Sequence, residues 1–394
     1  MVRSRSPARG FQARFARLVE ERDGRGLHAL LWESEREPIS AGLAPSPPDD
    51  VASEIVSAGR AGKSEEAFEA LCRALKLWIA RYLGLRRGVD GSWMLLPLLW
   101  LAAQPRRLAA ELDAKGQSKK NQTKLVEAMR DHFQKLHRDE RRREGALVAC
   151  CELLRLYFRM GQASQCSPIL KKVSQGQGGE QLDLEALPKA LAVTLCFLWG
   201  KHSVMEGNVV EAEERLSWAL SRCPPGAESN RRQILAYLVP CRLRTGRFPS
   251  MDLLTRNGLG WMQGLIKSVA DGDVRRFDEE FDLCEDRLVR DGSYLVVEKL
   301  KLLAYRNLAR KVHMDAGRRL EAAGKAEHRH KQDLAMYERA FKWQDSCDAD
   351  ETLCLLAHLI HLGAVRGFIS DEFRKIVFSK ENPFPDPSKW CPGA

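Results

Sequence analysis

The chain has 394 residues, and at ~150 residues per domain that allows two or three domains. Hydrophobic residues make up 44% of it, which is enough for a sizeable core and excludes a disordered chain. Lys and Arg number 63 against 53 Asp and Glu, a net charge of +10 that favours acidic partners without fixing a fold. The longest apolar run, Trp93 to Ala103, is 11 residues and contains Pro97. A membrane span needs ~18, so no membrane insertion is expected. The Arg-rich first 30 residues also lack the apolar stretch of a secretory signal.

Residues 1–10 (MVRSRSPARG) read as a disordered basic tail. Met1 to Leu18 has five Arg and no acid, as in an organellar transit peptide. Phe11, Phe15 and Leu18 nevertheless keep a helical spacing of 4 and 3, and an ordinary amphipathic helix is the preferred reading. Pro45, Pro47 and Pro48 break the segment Pro38 to Asp50. From Ser64 to Leu83, Ala67, Leu71, Ala74, Leu75, Trp78, Ile79 and Tyr82 line one helical face. The basic run Lys115 to Arg143 mixes in Asp131, Asp139, Glu140 and Glu144 and reads as a solvated helix surface, with a nuclear-localisation signal as the lesser alternative.

Helical periods recur over Leu147 to Phe158 and Val209 to Leu220, with QGQGGEQ at Gly176 to Gly179 as a loop between them. Gly161, Gly207, Gly246 and Gly272 each sit between two helical runs, with gaps of 46, 39 and 26 residues. That is too irregular for a strict 34-residue array but fits a loose stack of helical hairpins. Gly317 to Lys331 reads as an exposed polar insertion. Asp348 and Glu351 form a capping-box pattern opening a helix to about Leu362, which Gly363 ends. Arg366 to Ser370 and Lys375 to Lys380 carry the aromatic and β-branched residues of two strands. The expected fold is an all-α, helical-hairpin (TPR-like) solenoid ending in a winged helix with a small β-hairpin. Its divisions are a tail at 1–10, helical repeats at 11–200, a second domain at 201–385 (repeats 201–297, winged helix 298–385) and a tail at 386–394.

The eleven cysteines are odd in number and form no C-x-x-C. Cys72, Cys196 and Cys354 lie in apolar helical runs, and adjacent Cys150 and Cys151 diverge by about 100° on a helix. Buried free thiols in a reducing compartment are expected. His328 and His330 have no Cys nearer than Cys347 and read as loop residues rather than metal ligands. No phosphate loop, H-E-x-x-H or Gly-x-Ser-x-Gly elbow occurs, and Gly258-Leu259-Gly260 follows no strand. Carboxylate pairs such as Glu279-Glu280 are helix-surface charge. Neither enzymatic activity nor a cofactor is expected.

Helices closed by one β-hairpin describe the PCI module. The stretches Asn230 to Leu254 (NRRQILAYLVPCRLRTGRFPSMDLL), Glu298 to Val312 (EKLKLLAYRNLARKV) and Leu356 to Pro385 resemble the PCI domain-containing protein 2 family, also called signalosome subunit 12-like. Weaker similarity runs through Tyr157 to Val173 and to the N-terminal helix. The chain departs from the family in its RSRSP tail, in the Pro-rich segment and in an insertion at Gly317 to His330. The resemblance implies a subunit of the transcription-and-export complex 2 (TREX-2), paired with a large scaffold subunit and a small acidic subunit shared with the proteasome lid. It further implies RNA or DNA contact through a joint basic surface. The implied location is the nucleus, in the nucleoplasm and at the nuclear pore, with cytoplasm as a second site.

The residues themselves address the mode of nucleic-acid contact. The helix Asp350 to Leu362 (DETLCLLAHLIHL) would be the recognition helix, yet it starts acidic, has no Arg or Lys and carries Leu353, Leu355, Leu356, Leu359, Ile360 and Leu362. Base reading in the major groove is not expected of it. Beside it, Lys299, Arg306 and Arg310 fall within about 40° of one helical line, near His313. The wing adds Arg366, Arg374, Lys375 and Lys380, offset by Asp371 and Glu372. As a set these suit phosphate contact without base reading. Phe368, Ile376, Val377 and Phe378 are the candidate partner interface, because a hairpin ending in an edge strand invites strand addition. A signalosome- or proteasome-lid-type architectural subunit that touches no nucleic acid is the alternative.

Overall fold

The computed structural model describes residues 7–36, 50–175 and 182–390. Residues 1–6 of the expected N-terminal tail, 38–49 of the proline-rich break, the loop at 176–181 and the last four residues lie outside this range. The chain divides into two compact units, Met1–Leu198 and Trp199–Ala394.

The first unit opens with α1 (Pro7–Glu20), which begins inside the expected tail, and α2 (Gly24–Arg36). Phe11 and Phe15 are buried, as their spacing predicts. Helices α3 (Asp50–Ala61) and α4 (Glu65–Leu83) pack on each other. The Ser64 hydroxyl starts α4 by accepting from Ala67 N at 3.2 Å, and all seven residues of its predicted apolar face are buried. The apolar run from Trp93 becomes α5 (Leu95–Lys115), with Leu98, Leu101 and Ala102 buried. Among the described residues no helix is long and apolar enough to cross a membrane.

Helices α6 (Lys120–His137) and α7 (Arg143–Met160) form the next packed pair, followed by α8 (Cys166–Gln175). No sequence signal announced what starts α6. Asp113, buried at the end of α5, accepts from Asn121 N (3.0 Å) and Gln122 N (2.9 Å), so a side chain from another helix satisfies two orphan N–H groups. The basic run on α6 is paired rather than merely solvated: Lys124 meets Glu69 at 2.8 Å and Lys120 meets Glu65 at 3.5 Å. Arg142 departs further from the expectation. It is buried, lies 4.8 Å over the Tyr82 ring, and donates to Leu85 O at 3.1 Å.

Helix α9 (Lys189–Met205) contains the division between the units. The second unit continues with α10 (Val209–Arg222), α11 (Glu228–Arg244), α12 (Met251–Arg256), α13 (Gln263–Asp271), α14 (Val274–Asp291) and α15 (Tyr294–Glu298). Its helical core gathers Leu235, Leu243, Met262, Val269, Phe277 and Leu303. The helical-hairpin reading holds. Gly161, Gly207, Gly246 and Gly272 all adopt positive φ between 62° and 79°, the left-handed turn that glycine tolerates best. At Gly272 packing adds a second demand, since a Cβ there would come within 2.4 Å of Leu308 N.

The winged helix follows: α16 (Leu300–Ala322), β1 (Lys331–Asp333), α17 (Leu334–Asp345), α18 (Ala349–His361), β2 (Gly367–Ser370) and β3 (Lys375–Phe378). Its core holds Tyr305, Tyr337, Phe341, Leu356, Leu359, Ile376 and Phe378. The capping box is present: Asp348 Oδ1 accepts from Glu351 N at 2.8 Å, and Glu351 Oε2 accepts from Asp348 N at 3.0 Å.

Two expectations fail in this region and a third is extended. The polar stretch from Gly317 is not a plain insertion, because α16 runs on to Ala322 and Lys331–Asp333 pairs with β3. The predicted hairpin, β2–β3, is present, and β1 extends it to a three-stranded antiparallel sheet of order β1-β3-β2. A three-residue strand without hydrophobic alternation carries no local signal; its cross-strand ladder makes it a strand. The expected tail at 386–394 is ordered at its start, where Asp386 caps a turn at Pro387–Lys389 and Trp390 packs against both the helical core and the winged-helix core.

The cysteines are free in all ten described positions, and eight are buried. Burial raises the Cys150 and Cys151 thiols, the latter to about 12, which keeps them protonated. Cys354, read from its apolar neighbours as internal, is exposed on the solvent side of α18.

Candidate nucleic-acid and partner interface

The basic line on α16 comes apart in three dimensions. Lys299, immediately before the helix, and Arg310 are exposed. Arg306 is 5% exposed and faces inward. Its guanidinium donates to Asn307 Oδ1 at 2.9 Å, Phe384 O at 3.0 Å and Pro385 O at 2.7 Å. Burial lowers its pKa to about 10, helped by Arg310 nearby, so it stays charged at neutral pH while holding backbone carbonyls. Arg306 is a fastening within the domain, not a phosphate ligand. The chain running from Pro383 packs over Arg306 and leaves Lys299 and Arg310 exposed. His313 is also buried, with its ring centroid 4.4 Å from that of Phe378.

In the wing, Arg366, Lys375 and Lys380 are exposed, and none forms an ion pair among the described residues. Arg374 differs. It closes the β2–β3 turn at φ 48°, pairs with Asp371 at 3.1 Å and also pairs with Glu338 of α17. Its charge is already matched. Lys331 on β1 joins the exposed set; sequence reasoning placed it at the end of a loop, and only the β1–β3 pairing shows otherwise.

The candidate partner residues divide by strand alternation. Ile376 (0% exposed) and Phe378 (2%) point into the core, while Phe368 is 60% exposed and Val377 half-buried on the outer face. Lys331, Val377 and Phe368 stand opposite one another across the three strands. β3 is the central strand, not an edge, which corrects the basis on which Ile376 and Phe378 were chosen. The edge strands are β1 and β2, and β2 is the longer. Ser379 N donates to Arg366 O and Phe378 N donates to His330 O, both at 2.8 Å. Continuing that alternation, Lys375 and Val377 bond to β2, and Gly367 and Ile369 turn their N–H groups outward.

On α18, Leu356 and Leu359 are fully buried, whereas Leu353, Leu355, Ile360 and Leu362 are half-buried. Its solvent face carries Asp350, Glu351, Cys354, His358 and His361 and lacks Lys and Arg, consistent with the expected absence of base reading. Among the described residues no group of three His, Cys, Asp or Glu side chains is placed to hold a metal ion.

No family model matches the chain. Individual proteins do. It is 29% identical over 331 residues to the enhanced ethylene response protein 5 of Arabidopsis thaliana, covering 83% of this chain and 77% of that protein. It is 33% identical over 252 residues to a PCI domain-containing protein 2 homolog of Drosophila melanogaster, covering 64% of this chain and 60% of that one. With the protein CSN12 homolog of Neurospora crassa it shares 32% identity over 257 residues, 63% of this chain and 56% of that protein. The chain thus spans about 60% of the length of the PCI domain-containing relatives. By these matches, and by the winged helix that ends its helical hairpins, the chain is homologous to the PCI domain-containing protein 2 and CSN12 proteins of several species.

Proposed function

We propose that this protein is a non-catalytic scaffold subunit of a nuclear, transcription-coupled mRNA-export complex of the TREX-2 type. In this reading it binds a large PCI-partner scaffold and a small acidic subunit, and contributes to RNA or DNA binding that ignores base sequence. Nucleoplasm and nuclear pore are its proposed locations. The observation that carries the reading is the winged helix itself: an edge strand, β2, with outward N–H groups for strand addition, in a domain that also exposes Lys299, Arg310, Arg366, Lys375 and Lys380. Homology to PCI domain proteins supports the scaffold role and a non-enzymatic one.

One observation favours a second reading, an architectural subunit of a signalosome- or lid-type complex without nucleic acid. Two of the seven basic candidates, Arg306 and Arg374, are engaged inside the domain, and α18 offers none. Affinity purification of the tagged full chain from nuclear extract separates the two. Recovery of export-complex subunits with RNA is the expected result. Recovery of lid or signalosome subunits, free of nucleic acid, would replace the first reading with the second.

A further inference from the structure

After Ala335, the outward side chains of α17 are Arg339, Lys342 and Trp343. The two half-buried carboxylates of this helix are engaged inside the domain. Glu338 pairs with Arg374 of the wing, and Asp345 accepts from the Tyr305 hydroxyl and pairs with Lys301 at 3.0 Å. Arg339 Nε donates to Ala335 O at 3.1 Å, and neither Arg339 nor Lys342 forms an ion pair among the described residues.

Trp343 is 70% exposed. The guanidinium of Arg275, in the first turn of α14, lies 5.1 Å from the centre of its ring and donates to the Trp343 carbonyl. Arg275 N donates to Gln344 Oε1 at 3.2 Å, which ties the two helix ends together. Arg275 therefore covers one face of the indole, and the exposure of the ring leaves the other face to water. Other tryptophans beneath an arginine lack that freedom: Trp78 and Trp199 are buried, and Trp218 and Trp261 are half-buried. A ring already held by a cation loses little freedom when a flat group lands on its open face.

Three cations around one such ring favour a polyanion that carries flat groups. Single-stranded nucleic acid has both parts, since every base offers a face to stack and the backbone offers phosphates. The position also continues the wing: the Glu338–Arg374 pair sets α17 against the β2–β3 turn, beside Lys375. From Glu338 to Trp343 the helix rises about 7.5 Å, roughly two nucleotides at ~3.4 Å per backbone charge.

We propose that Trp343 is a base-stacking platform for single-stranded RNA or DNA, with Arg339 and Lys342 meeting the flanking phosphates. This deepens the nucleic-acid reading above and rests on it. It adds a preference for unpaired strands, because a duplex keeps its base faces covered.

The test is fluorescence anisotropy of the assembled complex, containing the full chain, with a labelled oligothymidylate of about 12 nucleotides. A second probe is an abasic strand of equal length, which keeps the phosphates and lacks the bases. Trp343→Ala is expected to weaken oligothymidylate binding about tenfold, to leave abasic binding unchanged and to keep the salt dependence, since it removes no charge. Trp343→Tyr should restore most of the loss. Lys342→Glu should weaken both strands and flatten the salt dependence. Both positions are exposed, and circular dichroism checks folding. Unchanged oligothymidylate affinity in folded Trp343→Ala, or an equal loss on the abasic strand, overturns the platform. Failure of the folded Trp343→Ala chain to join the complex would assign the ring to a protein contact and overturn it as well. If Lys375→Glu weakens binding while Trp343→Ala does not, the platform falls and the nucleic-acid reading stands. No binding of either strand by the wild-type complex sinks both.

Discussion

Arg306 and Phe384 are joined twice: the guanidinium donates to the Phe384 carbonyl at 3.0 Å and lies 5.7 Å from the centre of its ring. The contact belongs to a strap. Arg366 N donates to Pro383 O at 2.8 Å, the His313 ring lies 5.4 Å from that of Phe384, and Trp390 reaches both the helical core and the winged-helix core. Residues 383–390 therefore couple these two cores within the second unit, with one buried arginine at the centre.

That arrangement makes Arg306 a stability determinant. Arg306→Ala should cost about 2–3 kcal/mol, because charge-assisted bonds to two carbonyls are lost together. Arg306→Lys should recover only part, since an ammonium lacks the planar fork. Urea melts give the energy, and limited proteolysis should show new cleavage near Pro383 in the Ala variant. A variant as stable and as protease-resistant as the wild type would refute the strap.

The sheet order separates two proline substitutions. Ile376→Pro should unfold the winged helix, because this fully buried residue lies on the central strand and its N–H serves the β1 ladder. Ile369→Pro removes an N–H that faces outward from β2, so the domain should stay folded while partner recovery in purification drops. Full recovery of partners by a folded Ile369→Pro variant would show that β2 is not the pairing edge.

Arg310→Glu and Lys375→Glu test phosphate contact at exposed positions. In the assembled complex each should weaken single-stranded binding about equally for all sequences. Each should also flatten the dependence of log K on log salt by about 0.7 per lost contact. Arg374→Glu should instead reduce stability, through loss of its Asp371 and Glu338 pairs, rather than act on the slope. Titrations at several salt concentrations distinguish these outcomes; an unaltered slope in both exposed variants favours the scaffold-only reading.

Acid should destabilise both units. Burial lowers the pKa of His132 to about 4, against the partial opposition of Asp131 and with Lys135 and Lys76 adding to the lowering. Burial likewise lowers His313, opposed by its hydrogen bond with Gln332. Each histidine is more readily protonated when unfolded. Their contribution is therefore intact above the ordinary pKa near 6.5 and is lost as pH falls below it, for His132 toward about 4. Thermal melts at pH 7.5, 6 and 5 should show falling midpoints, and His132→Gln should reduce the fall.

The sequence by itself determined the helical hairpins, because period-3.6 burial and glycine turns are local properties. The seven-residue face of α4 and the left-handed glycines at 161, 207, 246 and 272 are legible without any partner element. The capping box of α18 and its lack of basic residues are equally local. What only the tertiary structure decided depends on contacts between distant segments. β1 exists because Lys331–Asp333 meets β3 more than 40 residues later. That pairing made β3 the central strand and left β1 and β2 as the edges. Arg306 shares a helical line with Arg310, and only the strap crossing over it makes one a fastening and leaves the other free.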